Sequence, residues 1–505
     1  MGEAKRDLIE GRRYAPVCLG DVCVLGLGVS GAAVVDHLLC QPAGRVSSLT
    51  VFAGEGSAPT AETDRLEAAG ATVIFSDEVT GRFSLCIASP GISASSSFYR
   101  SAQAASAELI SEVELAWREG PEDALWVGIT GTNGKTTTTA LLAHLLTEAG
   151  FAAVACGNIG DACIHVVAQD VGGDDACLCG KQRIYVAEVS SYQLASIRSF
   201  APEVGIFLGI TPDHLVWHGS FEAYAEAKGN MLANMEAAGG CAILDATNDR
   251  VREEVKRLRR KETRSGFTYI PLGTKAGIGT DMRSACVSAN AAYLDDAHHL
   301  HVAYEDGEYA LVDADGLQIR GIHNVVNALA ASAAAIALGA DAVQVTRALA
   351  SFKPLEHRIE PAGEAQGVSF YNDSKATNVD ATLVALTAFP GRPLIVMLGG
   401  RDKLGPLDEL VDACVEHGKA VVVFGEAKER FEAAFRKRIN CSQGPLQLLQ
   451  ADSFDEAFAQ AVRVARAGDV VLLSPACASF DEFTCFEERG QHFKDLVRAL
   501  GRADA

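Results

Sequence analysis

Short apolar runs closed by glycine or proline recur along the chain, and a helical pattern follows each. They include Val22–Leu25, Leu49–Phe52, Leu85–Ala88, Leu125–Ile129, Ile184–Ala187, and the stretches PLIVMLG, AVVVFG and VVLLSP. Runs of this length without polar alternation predict strands buried on both faces, as in parallel sheets. Strand and helix in regular alternation predict an α/β fold. One stretch breaks the rule: HLHVAYEDGEYALVD alternates polar and apolar residues, which predicts a small inserted hairpin. A chain of 505 residues exceeds one hydrophobic core, so two to four domains are expected. Breaks in the pattern place three: 1–111 with a Rossmann-like glycine turn, 112–354 with a phosphate loop, and 355–505 with a second Rossmann-like pattern. Sites are expected at the carboxyl ends of the strands.

The richest of those ends is ITGTNGKTT. Gly131, Thr132, Asn133 and Gly134 form a tight loop, then Lys135, Thr136 and Thr137 open a helix. Glycines let backbone N–H groups approach oxyanions, the helix start adds positive potential, lysine adds a charge, and a hydroxyl can ligate magnesium. The usual pattern has a glycine six residues before the lysine; Ile129 stands there, so the loop is a variant. The alternative is an ordinary strand–turn–helix. Glu188 ends the next strand beside this loop, where a hard carboxylate oxygen suits magnesium, or faces solvent.

Gly26, Gly28 and Gly31 match dinucleotide spacing, but the following strand ends without an acid, Glu55 lying just beyond. That turn holds a phosphate-bearing ligand, NAD being one option, or merely packs helix on strand. Ser89-Pro90-Gly91 ends another strand and could border a ligand. Ser220 can cap a helix on which Phe221, Tyr224, Lys228 and Met231 share a face. Lys228 thus points among apolar neighbours, and is either paired and snorkelling or functional. Asn324 and Asn327 begin an alanine-rich helix, as caps or as readers of a purine edge. Asp213 and His214 sit in a turn after an apolar strand.

Charge narrows the class. The net charge of −21 argues against non-specific nucleic-acid or anionic-membrane binding. No apolar run is long enough to span a bilayer. The 14 cysteines form no compact framework; Cys177 and Cys179 lack a second metal-spaced pair, and Cys23 and Cys86 look like strand core. Reduced thiols, a loose charged N-terminal extension and a cytoplasmic protein are expected.

Together GTNGKTT, EVSSYQL, ITPDHL, AYAEAK, GIHNVVNALAA, EHRIE and NDSKATN resemble the Mur ligases, ATP-dependent amide-forming enzymes of peptidoglycan synthesis. Several of these motifs are shared with folylpolyglutamate synthetases. SPACASFDEFTCFEERG resembles the signature of the D-glutamate-adding branch, and the DNPR motif of the diaminopimelate- and lysine-adding branches is absent. The resemblance implies three domains, with a central P-loop ATPase-like one. It implies UDP-N-acetylmuramoyl-L-alanine, D-glutamate and ATP as reactants, two Mg2+ ions, and a monomer. Gly131 to Thr137 would bind the ATP phosphates, Lys135 on the β/γ groups, with Asn324 and Asn327 at adenine and Arg358, Asp373 and Lys375 closing the site. Thr136, Glu188, His214 and a carbamylated Lys228 would hold metal. Lys135, His214, Lys228 and Lys375 would be the catalytic set. Val29, Ser30, Ser89, Asn158, Ser190 and Gln193 would take the UDP-substrate; Thr377, Lys403, Ser479, Phe480 and Phe486 would take D-glutamate. The chain departs from the family pattern at Gly209, usually asparagine, and at Val216, where aspartate is common. The second strand also lacks the acid-and-arginine ending of some relatives. Rival readings are a folate-type polyglutamate ligase, a catalytically silent nucleotide- or UDP-sugar-binding protein, and an NAD oxidoreductase.

Overall fold

A computed structural model describes residues 13–172, 180–273, 288–402, 404, 406–439 and 446–503. The predicted apolar runs are strands in three sheets. The first holds β1 (Gly20–Leu25), β2 (Val46–Phe52), β3 (Thr72–Ile74), β4 (Phe83–Ala88) and β5 (Ser106–Ser111), in the order β3-β2-β1-β4-β5. All its pairings are parallel. Cys23 and Cys86 face each other in register on β1 and β4, both buried, as their apolar surroundings predict. The described cysteines are free.

The second sheet is built from β6 (Leu125–Thr130), β7 (Ala152–Gly157), β8 (Arg183–Glu188), β9 (Val204–Phe207), β10 (Gly240–Asp245), β11 (Phe267–Gly273), β12 (Ala291–Leu294), β13 (His299–Tyr304) and β14 (Gly307–Asp313). Its order is β14-β13-β12-β11-β10-β9-β6-β8-β7. The alternating stretch does form an antiparallel hairpin, β13–β14. It is not a separate insert. Antiparallel pairing to β12, itself parallel to β11, makes it the edge of the central sheet. Alternation marks a strand pair with one wet face, and an edge is where that is tolerated.

The third sheet has the order β15-β16-β20-β17-β18-β19, with β15 (Glu360–Ala365), β16 (Val368–Asn372), β17 (Leu394–Gly399), β18 (Gly418–Phe424), β19 (Gln447–Gln450) and β20 (Val470–Leu473). Only β15 runs antiparallel to its neighbour. β17, all six residues buried, reads as the continuous apolar run expected of a strand covered on both faces.

The chain forms two compact units. The first takes in both earlier sheets, residues 1–316 and 326–350; the second is 317–325 and 351–505. In the first unit, one core runs from Val22 and Val24 through Trp117, Trp126 and Phe200 to Leu244. Trp117 and Phe200 meet edge to face with ring centroids 5.8 Å apart. Each fully buried aromatic of this kind contributes about 1.5–3 kcal/mol by area alone. A buried ion pair lies within the helix Glu112–Glu119. Arg118 Nε donates to Glu114 at 3.1 Å, and Glu114 also accepts from the Ser199 amide at 2.9 Å. Those carboxylate oxygens are hydrogen-bonded as well as paired, which offsets their desolvation. Among the described residues no helix is long and apolar enough to cross a membrane.

Candidate active site

Strand order places the loops. β6, β9 and β10 are parallel neighbours, so the chain leaving each strand emerges on one side by side. The loop after β6 is the predicted phosphate loop. Gly131 has φ 147° and Gly134 φ 83°, values that favour glycine. A Cβ on Gly131 would stand 2.7 Å from Leu208 Cβ, so the loop lies tight on the chain after β9. The helix Lys135–Glu148 starts directly from Gly134, with Thr136 and Thr137 buried. Lys135 Nζ donates to the Gly131 and Thr132 carbonyls at 3.0 and 2.7 Å, folding the cation across the loop. Asn133 is half-buried at its crest.

Glu188 ends β8, which pairs with β6, and is 2 % exposed. One carboxylate oxygen accepts from Asn158 Nδ2 at 2.9 Å; the other is buried without a hydrogen-bond partner. Such an orphaned oxygen carries a desolvation cost of about 1–3 kcal/mol. It suits a cation, and the buried Thr136 at the start of the helix after the loop carries a second oxygen donor. The donor set of one carboxylate and one hydroxyl fits Mg2+, which takes few protein ligands and completes its shell from phosphates and water. Among the described residues no three His, Cys, Asp or Glu side chains converge as a metal cluster.

Ser220 caps the helix Phe221–Ala238 through the Ala223 amide at 3.1 Å. The predicted face is the inward one: Tyr224, Lys228 and Met231 are buried and Phe221 is half-buried. Lys228 Nζ donates to Gly131 O at 2.8 Å and Thr130 Oγ1 at 3.3 Å, and lies 4.7 Å from the Tyr224 ring centroid. Burial holds its amine well below the usual lysine range; Lys135 adds to this, and Asp213 and Glu188 oppose it. His214 has φ 53°; its Nδ1 meets the Tyr192 hydroxyl at 2.7 Å, and Nε2 lies 3.5 Å from Asp213.

Three residues here escaped the sequence reading: Thr130, Tyr192 and His218. His218 Nε2 meets Ser191 Oγ at 2.9 Å, and burial pushes its imidazole down to about 4, with His214 and Lys228 contributing. Only the HG step after the DHL turn hinted at it.

The residues expected to take the UDP-substrate lie at two places in the first unit. Ser190 and Gln193 make a capping box: Gln193 Oε1 accepts from the Ser190 amide at 2.9 Å, and Ser190 Oγ from the Gln193 amide at 3.3 Å. Asn158 is bound to Glu188, at the end of the strand that leads into this box. Val29 and Ser30 start the helix Val29–Leu39, Val29 being 83 % exposed. Ser89 Oγ donates to Gly26 O at 3.2 Å across that turn. Glu55 does not grip the turn as a ribose-binding acid would. Its side chain is exposed, and its amide donates to Asp77 at 2.9 Å. The Gly31 position is needed for packing, since a Cβ there would collide with the Gly26 carbonyl.

Asn327 lies against Gly134: a Cβ on Gly134 would strike Asn327 Oδ1. Asn324 belongs to the second unit, where its Nδ2 donates to Arg320 O at 2.7 Å.

In the second unit, neighbouring strands β16, β20 and β17 bring the loops 373–378, 474–485 and 400–402 together. Asp373 is buried and accepts from Ser474 Oγ at 2.7 Å and the Ile359 amide at 3.2 Å. Burial pushes its carboxyl up to about 7, against Ser474 and the charge of Arg358. Lys375 Nζ sits 5.3 Å from the Phe486 ring centroid. Thr377 N donates to Lys375 O at 2.9 Å. Ser479 is buried, whereas Phe480 is 58 % exposed. Lys403 lies outside the described residues, as do Cys177 and Cys179. The residue that ties these loops is one the sequence reading passed over. Arg489, fully buried, donates to Ser374 Oγ at 2.9 Å, Ser374 O at 2.8 Å and Cys477 O at 3.1 Å. An arginine inside a motif of acidic residues was the available signal.

The fold and these loops define a ligase of the Mur type. The pattern described as Mur ligase middle domain matches residues 129–335, and that of the Mur ligase, glutamate ligase domain matches residues 357–477. The chain belongs to the Mur ligase family. It is 36 % identical over 95 % of its length to the UDP-N-acetylmuramoylalanine–D-glutamate ligase of Pelotomaculum thermopropionicum, covering 97 % of that protein. It is 34 % identical over 95 % of its length to the enzyme of the same name from Thermoanaerobacter pseudethanolicus, covering 98 %. Among solved structures, the fold is similar to a murein peptide ligase from Psychrobacter arcticus. There the TM-score is 0.51 at 17 % identity, covering 96 % of this chain and 99 % of that one. It is also similar to UDP-N-acetylmuramate–alanine ligase from Thermotoga maritima, with a TM-score of 0.51 at 16 % identity, covering 95 % and 99 %.

Proposed function

We propose that the protein joins D-glutamate to UDP-N-acetylmuramoyl-L-alanine with ATP, acting as a cytoplasmic monomer in peptidoglycan precursor synthesis. The observation that carries the ATP half of this reading is the buried pair formed by Lys228 and the phosphate loop, beside Lys135 and the orphaned oxygen of Glu188. The full-length likeness to D-glutamate ligases supports the choice of substrates.

A carboxylate is a poor electrophile. Transfer of the ATP γ-phosphoryl to the alanyl carboxylate gives an acyl phosphate and ADP. The D-glutamate amine attacks that carbonyl, the tetrahedral intermediate expels phosphate, and one proton leaves the nitrogen. Lys135 offsets charge on the transferring group, and the loop amides orient it. Thr136 and Glu188 would hold Mg2+, which when bound neutralises phosphate charge. We assign two ions, the second near His214 and Lys228. Held neutral by burial, the Lys228 amine can add carbon dioxide, forming an N–C bond and losing a proton. The resulting carbamate would give a buried anionic oxygen donor where an ammonium would be costly.

Arg358, Asp373, Lys375 and Asn324 complete the nucleotide contacts in this reading, with Asn327 at adenine. Thr377, Lys403, Ser479, Phe480 and Phe486 take the amino acid. Val29, Ser30, Ser89, Asn158, Ser190 and Gln193 take the UDP-sugar. The decisive experiment is phosphate release from ATP with either UDP-N-acetylmuramoyl-L-alanine or a folate as acceptor and a panel of D- and L-amino acids. Turnover only with D-glutamate is expected. Turnover only with a folate acceptor would move the protein to the polyglutamate ligases, and tight ligand binding without turnover would make it a silent binding protein.

A further inference from the structure

The phosphate loop is held from the side by a chain of hydrogen bonds that ends on a residue outside the site. Thr132 N donates to Gly209 O at 2.8 Å. The Thr132 hydroxyl contacts Thr211 O at 3.1 Å and accepts from the Thr211 amide at 2.9 Å. The carbonyls of residues 209 and 211 therefore both face Thr132. Where the chain is extended, successive carbonyls point to opposite sides, and the carbonyl between them, Ile210 O, points away. It accepts from Asn248 Nδ2 at 3.2 Å. A grip on the middle carbonyl fixes the two flanking ones.

Asn248 is itself rigidly placed. Its Oδ1 caps the helix Asp249–Arg259 by accepting from the Val251 amide at 3.2 Å. The cap demands oxygen at that end, so the amide must present its N–H2 group to Ile210. The turn beneath is braced by buried Asp245, which accepts from the Thr247 amide at 3.0 Å and hydroxyl at 2.6 Å. Asn248 packs directly on this segment: a Cβ on Gly209 would stand in ordinary contact with Asn248 Nδ2, 3.5 Å away.

We infer that Asn248 is a positioning residue for the ATP-phosphate loop, acting through Ile210 and the Gly209 and Thr211 carbonyls on Thr132. The inference rests on the ATP reading of that loop. Asn248→Ser keeps a capping oxygen but removes the donor to Ile210; Asn248→Asp does the same with an isosteric side chain. Both should raise KM for ATP roughly three- to tenfold, the worth of one hydrogen bond, with KM for D-glutamate and the thermal midpoint unchanged. A wild-type KM for ATP in both variants overturns the relay, and so does an equal rise in both KM values or a lowered midpoint in both. Lys135→Ala, measured alongside for equilibrium ATP binding, separates the two levels. ATP affinity retained in that variant overturns the loop reading itself, whereas affinity lost there with normal Asn248 variants overturns the relay alone.

Discussion

Lys228 Nζ donates to the carbonyl of Gly131 at 2.8 Å, joining the middle of one helix to the first residue of the phosphate loop. The lysine is 2 % exposed, and burial keeps its amine far below the usual range. A group in that state is either a structural burden or a nucleophile held neutral for a reaction with carbon dioxide.

Replacing it distinguishes the two. Lys228→Ala should lower kcat on the order of 10²-fold or more, as loss of a charge-stabilising group does, and high bicarbonate should not restore it. Near-normal turnover would remove the carbamate role. The sign of the linkage is clear: a lysine with a depressed folded pKa binds fewer protons folded than unfolded, so it lowers stability increasingly as pH falls below its unfolded value. Lys228→Met should therefore unfold no earlier than the wild type at pH 7 in a thermal scan.

Gly134 stands at φ 83° with Asn327 Oδ1 where a Cβ would go. Gly134→Ala should cost about 1–2 kcal/mol of local strain and weaken ATP binding several-fold. Isothermal titration should show the loss with the circular dichroism spectrum preserved. Unchanged affinity would mean the loop adopts another form when it binds ATP.

Glu112 is fully buried and accepts from the Ile164 amide at 2.7 Å; burial pushes its carboxyl up to about 7. A raised folded pKa means that the folded state holds the proton longer. The protonated group's contribution is full below the unfolded value of about 4.3 and is lost as pH rises towards about 7, at roughly 1.4 kcal/mol per unit. Urea titrations from pH 4.5 to 8 should show this slope in the wild type minus Glu112→Gln difference. A flat difference would refute the shift.

Arg489 spans Ser374 and the Cys477 carbonyl from inside the second unit. Arg489→Lys loses the planar fork and leaves buried carbonyls unpaired, at about 2–3 kcal/mol. KM for D-glutamate should rise more than KM for ATP if the loop 474–485 carries the amino acid. An equal rise would detach that loop from the amino-acid site.

Much of this molecule was written in short stretches of chain. Continuous apolar runs such as Ile395 to Leu398 demand strands covered on both faces. Gly131 and Gly134 favour a tight loop with positive φ, and Ser220 with Phe221, Tyr224, Lys228 and Met231 demands a capped helix with a lysine turned inward. These are local consequences of periodicity and backbone sterics, so they are legible without partners. What the tertiary structure alone decided is which distant segments meet. The order β6-β9-β10 sets Asn248 beside Ile210, and β16-β20 sets Ser474 beside Asp373. Arg489 finds Ser374 across 115 positions, and the hairpin β13–β14 becomes a sheet edge instead of an insert. Strand order and side-chain reach depend on the summed packing of the whole core, and no window of sequence contains that sum.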